Sequence, residues 1–591
     1  MQMQPTEADK ASKLSNLLNR IQTKSLNRLT LKKELQQGMN SLDNITFAFN
    51  KAAGNDGAGT HGTDGQTIDG KDWNYIIKLN DKYRNNQYRP KPLRRVYIPK
   101  PNGDKRPLGI PTIDDRIIQQ AMYQLLNPFY EVKFSKWSYG FRPDKSPHDA
   151  IKRIKDRFKG IKWLIKIDIK GFFDTINHDI LLKILNEDIR KAKTLKTIKQ
   201  WLEAGIMDNW VFQKTFSGTP QGGIISPLLA NVYLHEVDEK MEKLVVKGTP
   251  KRKSNPKYGK IQRLGLVRKA KVASDININP NIRVEYIRYA DDFIIGCTGT
   301  REQANELKQK VVSWLVRDLG LSISYDKSKI VPAHKGTKFL SYLIRVNPMA
   351  SSKNKSARKS LNGKTDIRIP KEEIDNRCQR WVRVSKKKKK IIHDSQLHYR
   401  DELEIIQSYK RVVEGIIRYF AYGRNLGQLT KLAYAADYSC LMTIAGKHKT
   451  SIARVRKKLS QGQGTWGVKY TKKTKPRYET WPKYTWDRIK RMRRYKDINP
   501  DIIPNPNTLL GRTHLTDRLK AEKCEMCQRD DIKLEIHHTK TVRNRNWQSV
   551  MNKSTMALCR QCHRKKTNEQ IKSFTNNKKN IYKRLNNQST K

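Results

Sequence analysis

The sequence predicts a multidomain α+β protein. Three observations carry this prediction. The chain has 591 residues, room for about three to five domains at roughly 100–200 residues each. Over residues 71–345, helical patterns mix with short apolar runs such as 164–169 and 293–295, as in a domain built on a small sheet. Four of its seven cysteines fall in two CxxC pairs near the C-terminus, which reads as a metal site in a reducing compartment. An odd cysteine count also argues against a secreted disulfide scaffold.

Charge narrows the class further. Lys and Arg number 121 against 56 Asp and Glu, a net charge of +65. The excess runs along the whole chain and would drive strong self-repulsion. A polyanionic partner resolves it, and nucleic acid is the first candidate. The apolar fraction of 37% is low but clustered, which excludes full disorder. No run of 18 apolar residues occurs, so no membrane span and no membrane partner is expected. The start, MQMQPTEADKASK, has no apolar core and is not expected to be a secretory signal.

Element by element, residues 1–60 are expected to form a helical extension, with Leu14, Leu17, Leu18 and Ile21 at helical spacing. A Gly/Asp/Thr loop spans Gly54–Gly70. Residues 61–345 form the α+β domain, and 246–283 within it read as a basic insertion or exposed arm. Residues 346–370 read as a Ser/Lys/Asn-rich linker. Residues 371–460 are expected to be mostly helical: Ile405, Ile406, Tyr409, Val412, Val413, Ile416 and Ile417 recur at 3–4 spacing. The run Lys386–Lys390 reads as a solvated face or loop. Residues 461–515 interleave cations with Tyr470, Tyr478, Trp481, Tyr484 and Trp486, a pattern suited to stacking on bases. Residues 516–570 hold the Cys/His cluster, and 571–591 is a basic, Asn-rich tail.

Chemistry concentrates at three aspartates. Asp291 and Asp292 lie between short apolar stretches and read as a tight turn joining two strands. Adjacent carboxylates repel unless cations neutralise them. Upstream, the run 164–169 reads as a buried strand bearing Asp168 at its end, where a carboxylate also needs compensation. Three carboxylates from two strands suffice for two divalent ions, the requirement of two-metal phosphoryl transfer. Magnesium suits such an all-oxygen set.

IDIKGFFDTINHDILL (167–182), GTPQGGIISPLLANVYLHEVD (218–238) and RYADDFII (288–295) resemble reverse transcriptase motifs A, B and C, in order. Their form is similar to that of group II intron-encoded proteins. Residues 94–122 and 138–151 resemble earlier blocks of that family, and 319–330 and 338–344 its later ones. The resemblance implies a right-hand polymerase with fingers and palm over 61–345, built on a palm sheet. It implies catalytic, Mg2+-binding roles for Asp168, Asp291 and Asp292. It makes Phe173 the aromatic gate against a ribose 2′-hydroxyl and Gln221 a nucleotide-binding amide. Lys100 and Arg106 match the triphosphate-binding pair, and Lys327 would donate a proton to pyrophosphate. The chain has Phe339-Leu340-Ser341-Tyr342 where the family often has FLGY, a mild departure.

Residues 404–426 and 434–452 resemble the thumb or maturase domain (371–460) of that family, which implies binding of its intron RNA. The position of 461–515 matches the family's DNA-binding region. Cys524, Cys527, Cys559 and Cys562 supply four thiolates for a structural Zn2+. With Glu535-Ile536-His537-His538 and His563 they resemble an HNH endonuclease, a ββα-metal fold. By that resemblance His537 and His563 ligate a divalent ion, and His538 is the general base. The usual middle Asn has no clear counterpart, Asn552 and Ser554 being the nearest. A further His of some relatives is replaced by Thr567.

The implied function is an RNA-directed DNA polymerase and maturase that also nicks DNA, with intron RNA, target DNA and dNTPs as partners. A homodimer is a state the resemblance allows. Bacterial cytoplasm is the expected compartment, with a mitochondrion or chloroplast as the alternative. Two other readings are a splicing-only RNA-binding maturase and a reverse transcriptase of another lineage, such as a retron or defence enzyme. The intact aspartates and PQGG turn weigh against the first. The helical domain and the Cys/His module weigh against the second.

Overall fold

The computed structural model describes residues 7–248 and 281–492, apart from 56, 69, 100–104, 209–210, 214–217, 219–221, 349–361, 386–387, 399, 463–464 and 473–474. It also describes 252–254, 263, 275–277, 524, 526–529, 534–538 and 555–569. The chain divides into two compact units: 1–134 with 173–233 and 505–591, and 135–172 with 234–504.

In the first unit, Glu7–Leu26, Lys33–Asn40 and Leu42–Ala53 are helices. They do not stand apart as an extension but pack into the core of this unit. Leu14, Leu17, Leu18 and Ile21 are buried. Ser25 Oγ donates to Phe129 O at 2.7 Å and Asn44 Nδ2 to Ala121 O at 3.2 Å, both on the helix Ile113–Lys133. Thr112 caps that helix, its hydroxyl accepting from Asp115 N, a cap of about 1 kcal/mol. A four-stranded sheet pairs Leu93–Pro99 antiparallel with Lys105–Ile110 and parallel with Ile206–Asp208, which in turn pairs with Val211–Gln213.

The second unit holds a four-stranded antiparallel sheet in the order Lys329–Pro332, Trp163–Ile167, Asp292–Cys297, Val284–Tyr289. The apolar run predicted as a buried strand is one of its two central strands. A second sheet joins Thr337–Phe339, Tyr342–Val346 and Thr365–Arg368. Its first turn carries the Ser341 departure. Leu340 and Ser341 both take left-handed backbone, at φ 48° and 60°, where glycine is the unstrained choice.

Two expected boundaries shift. The linker over 346–370 ends in strand Thr365–Arg368, whose Asp366 and Ile367 are buried. Composition hid this strand because its polar flanks outweigh one apolar pair. Nor does the helical core stop at 460. Helices Glu402–Tyr419, Leu429–Lys447 and Ile452–Leu459 share one core with Trp466, Trp481, Tyr484 and Ile489. Trp466–Lys472 and Lys475–Trp481 form a hairpin, and Trp486–Met492 a helix. Two of the rings expected to stack on bases, Trp481 and Tyr484, are therefore core residues, while Tyr478 and Trp486 stay exposed. The lysine run, expected as a solvated face or loop, enters a strand, Lys388–Ile391, paired with Val382–Ser385. Most of the arm at 246–283 lies outside the described residues; Arg252–Ser254 and Asp275–Asn277 pair as two short strands.

Candidate active site

Register brings two of the aspartates together. Ile167 pairs with Phe293, so one further step along the same antiparallel ladder sets Asp168 beside Asp292. Tyr289 pairs with Asp292, which leaves Ala290 and Asp291 as a two-residue turn. Such turns need positive φ, and Ala290 supplies it at 56°. Both backbone groups of Asp168 are tied down: its N–H donates to Ser328 Oγ at 3.0 Å, and its carbonyl accepts from Ser324 N at 2.8 Å. Lys327, in the loop so tethered, has its Nζ 3.9 Å from the Asp168 carboxylate. Lys166 stands 3.3 Å from Asp292. Burial pushes the Asp292 carboxyl up, Lys166 pulls it back, and Asp291 and Asp168 push it up again. A carboxylate under this strain is stabilised by a further cation.

The turn is clamped from below by residues that motif reading did not single out for a role. Arg288 and Asp238 form a wholly enclosed ion pair, 2.8 and 2.5 Å at the two oxygens. Tyr286 Oη donates to the same carboxylate at 2.7 Å. Nη1 of the same guanidinium donates to Ala290 O at 2.9 Å. On the other side, a Cβ on Gly140 would lie 2.2 Å from Ala290 N, so only glycine lets the turn seat there. A signal did exist: Asp238 occupies the apolar stripe of its helix with Leu234, Met241 and Val245, all buried. An acid in such a stripe implies a buried partner.

The nucleotide-binding expectations fall in the first unit. Phe173 is half-buried in the short helix Phe172–Thr175, beside the fully buried Phe172. Arg106 is exposed on strand Lys105–Ile110. Lys100 and Gln221 lie outside the described residues. Gly222, at φ 120°, would place a Cβ 2.1 Å from Gly109 O. The close approach this glycine permits is thus made to strand Lys105–Ile110.

In the C-terminal module, Leu534–His538 pairs antiparallel with Thr555–Cys559, and residues 560–569 are helical. The sulfurs of Cys524, Cys527, Cys559 and Cys562 lie within 4.8 Å of one another, the one such set of potential ligands among the described residues. Cys527 and Cys559 are 3.8 Å apart, near the ~3.8 Å edge of a tetrahedron with 2.3 Å Zn–S bonds. The thiols titrate unequally. A hydrogen bond from Arg529 draws Cys527 down to about 6, while desolvation and the neighbouring sulfurs push Cys562 up to about 12. Four thiolates together therefore require a cation, and the set fits zinc.

His537 is buried and its ring meets that of His563 edge to face at 5.0 Å. Glu535 holds His563 through Nδ1 at 2.6 Å, an orienting bond that motif reading missed. His538 lies in the strand. Asn552 and Ser554 lie outside the described residues, and Thr567 bonds back to His563 O at 2.8 Å.

Comparison with known proteins fits this geometry. Residues 98–344 match the reverse transcriptase (RNA-dependent DNA polymerase) family, and residues 362–502 the type II intron maturase family. The chain is 34% identical to the group II intron-encoded protein LtrA of Lactococcus lactis subsp. cremoris, over 88% of this chain and 92% of that one. It is 28% identical to the putative COX1/OXI3 intron 1 protein of Saccharomyces cerevisiae, over 97% of this chain and 73% of that protein. The putative COX1/OXI3 intron 2 protein of the same yeast is 27% identical over 92% and 67%. Among the described residues no helix is long and apolar enough to cross a membrane. The polymerase domain has the fingers-and-palm fold and uses a divalent ion such as Mg2+. The chain belongs to the group II intron-encoded proteins, as an RNA-directed DNA polymerase joined to a maturase that binds intron RNA.

Proposed function

We propose that this chain mobilises its intron RNA as well as aiding its splicing, by nicking a target DNA and copying the RNA from the nicked end. The observation that carries the polymerase half is the meeting of Asp168 with the Asp291–Asp292 turn. All three side chains offer only oxygen, the donor set that suits magnesium. When bound, two Mg2+ ions neutralise charge at the primer 3′-hydroxyl and at the leaving pyrophosphate. Asp168, Asp291 and Asp292 hold them. Lys100 and Arg106 meet the dNTP triphosphate, Gln221 its polar edge, and the Phe173 ring crowds out a 2′-hydroxyl. Lys327, held over Asp168, gives a proton to the departing pyrophosphate.

The nuclease half rests on the C-terminal module. The four cysteines fix its fold around Zn2+. His537 and His563 would hold a divalent ion that stabilises the leaving oxygen of a DNA phosphodiester, with Glu535 setting the His563 ring. His538 takes the proton from the attacking water.

Primer extension on an RNA template, with dNTPs and Mg2+ at fixed salt, tests the polymerase assignment. The chain is purified with its intron RNA. Extension by the parent and none by Asp291→Ala is the expected result. Equal extension by the variant would sink the aspartate assignment.

A further inference from the structure

We propose that the maturase domain carries a cleft for one unstacked nucleotide of single-stranded intron RNA. The proposal rests on intron RNA being the partner and names the site and the chemistry of one contact. The cleft has a volume of about 800 Å³, within the ~300–1,000 Å³ of small-ligand sites. Its floor is the paired tryptophans Trp466 and Trp481, stacked at 5.4 Å with 10° between ring planes. They close the open end of the hairpin and sit in the core. Above them, Tyr434 on helix Leu429–Lys447 is 64% exposed. Tyr438, one turn on, lies nearly parallel to it, 6.4 Å away. An exposed flat ring beside a cleft is what a splayed-out base needs for stacking.

The charges select a polyanion. The single acid in the lining, Asp437, is already committed: it accepts from Trp466 Nε1 at 2.9 Å and from Arg456 at 3.0 Å. Lys431 and Lys483 line the same cleft, are exposed, and pair with no acid among the described residues. The surplus is cationic, in a chain of net charge +65. Thr430, Ser460 and Thr485 also line it, residues of the kind that can meet a ribose 2′-hydroxyl, the group that separates RNA from DNA. All these residues fall within the stretch that matches the maturase family, 362–502.

The test uses the full chain and the intron RNA transcribed from its own gene, substituted with 5-iodouridine. Photocrosslinking followed by mass spectrometry should place an adduct on Tyr434, Tyr438 or a cleft tryptophan. Tyr434→Ala should weaken RNA binding about tenfold, the loss of one base stacked on an aromatic ring. Tyr434→Phe should restore it. Replacing Lys431 and Lys483 together by Gln should lower the slope of log affinity against log salt by about 1.4, at ~0.7 per single-strand phosphate. Tyr434→Ala should leave that slope unchanged. Because Tyr434 is exposed, its variants should keep the parental melting temperature, which is checked in parallel.

Parental affinity for Tyr434→Ala, or adducts confined to other regions, would overturn the proposal. Tighter binding of a DNA oligonucleotide than of the same RNA sequence would overturn it in favour of DNA. If the parent extends primers but does not bind its intron RNA at all, the partner reading itself fails, and the cleft assignment with it.

Discussion

Arg288 sits at the end of a buried strand and serves two masters. Its ion pair with Asp238 keeps the charge tolerable in the core, and its remaining arm fixes the carbonyl of Ala290. Ala290 and Asp291 form the two-residue turn, so the guanidinium sets where Asp291 points. Removing Asp238 alone would strand a buried cation at a cost of about 3–5 kcal/mol, and lost activity would then mean only lost fold. Replacing the whole polar group separates the two roles. Asp238→Leu, Arg288→Met and Tyr286→Phe together should melt near the parental temperature, because buried ion pairs exchange for apolar groups at little net cost. The hydrogen bond to Ala290 is nevertheless gone. Primer extension by this triple variant should lose at least about tenfold in kcat, with the KM for dNTP little changed, as expected for misplaced reacting groups. Parental kcat in the stable triple variant would reduce the network to a purely structural role.

At the scale of elements, legibility followed how local the signal was. The strand ending at Asp168 and the hairpin holding Asp291 and Asp292 were readable, because apolar runs bounded by acids leave few alternatives. Strand Thr365–Arg368 was not, because its partner Tyr342–Val346 stands about twenty residues away across a polar stretch. Trp481 and Tyr484 misled for a related reason. Rings among cations look like a binding strip until the helices they cover are known. The C-terminal module poses the same problem in reverse. Its core among the described residues is only Cys524, Leu558 and Cys559, with Met556, Cys527 and Cys562 against it. Four of these six residues are the cysteines of the proposed zinc set, so ion binding there would add directly to the folding free energy. Cys527→Ser should therefore release the zinc, about one equivalent per chain by atomic absorption, and open residues 524–569 to limited proteolysis. A variant that loses zinc yet keeps parental protease resistance would show the module folds without its cluster.

Over the whole molecule, every assigned task uses a polyanion, and the charge of +65 serves all of them through one sequence-independent term. Such binding falls steeply with salt: six to ten phosphate contacts lose ~10³–10⁵ in affinity between 50 and 200 mM. Charge alone therefore cannot order the steps of intron mobility, since it holds RNA and DNA alike. A chemical hand-over can. Hydrolysis at a DNA phosphodiester that leaves a free 3′-hydroxyl creates the one group the polymerase aspartates require as nucleophile. On the proposed assignment the nuclease product becomes the primer, and the chemistry then sets the order of events. His538→Ala should accordingly fail to copy intron RNA into an intact duplex target, yet copy it from the same duplex carrying a nick with a 3′-hydroxyl at the insertion site. Asp291→Ala should show the opposite fault, nicking the intact duplex and extending neither substrate. Both assays are run at one salt concentration with the RNA-bound chain. If His538→Ala copies into the intact duplex as well as the parent does, the primer comes from elsewhere, and the C-terminal module is not what starts synthesis.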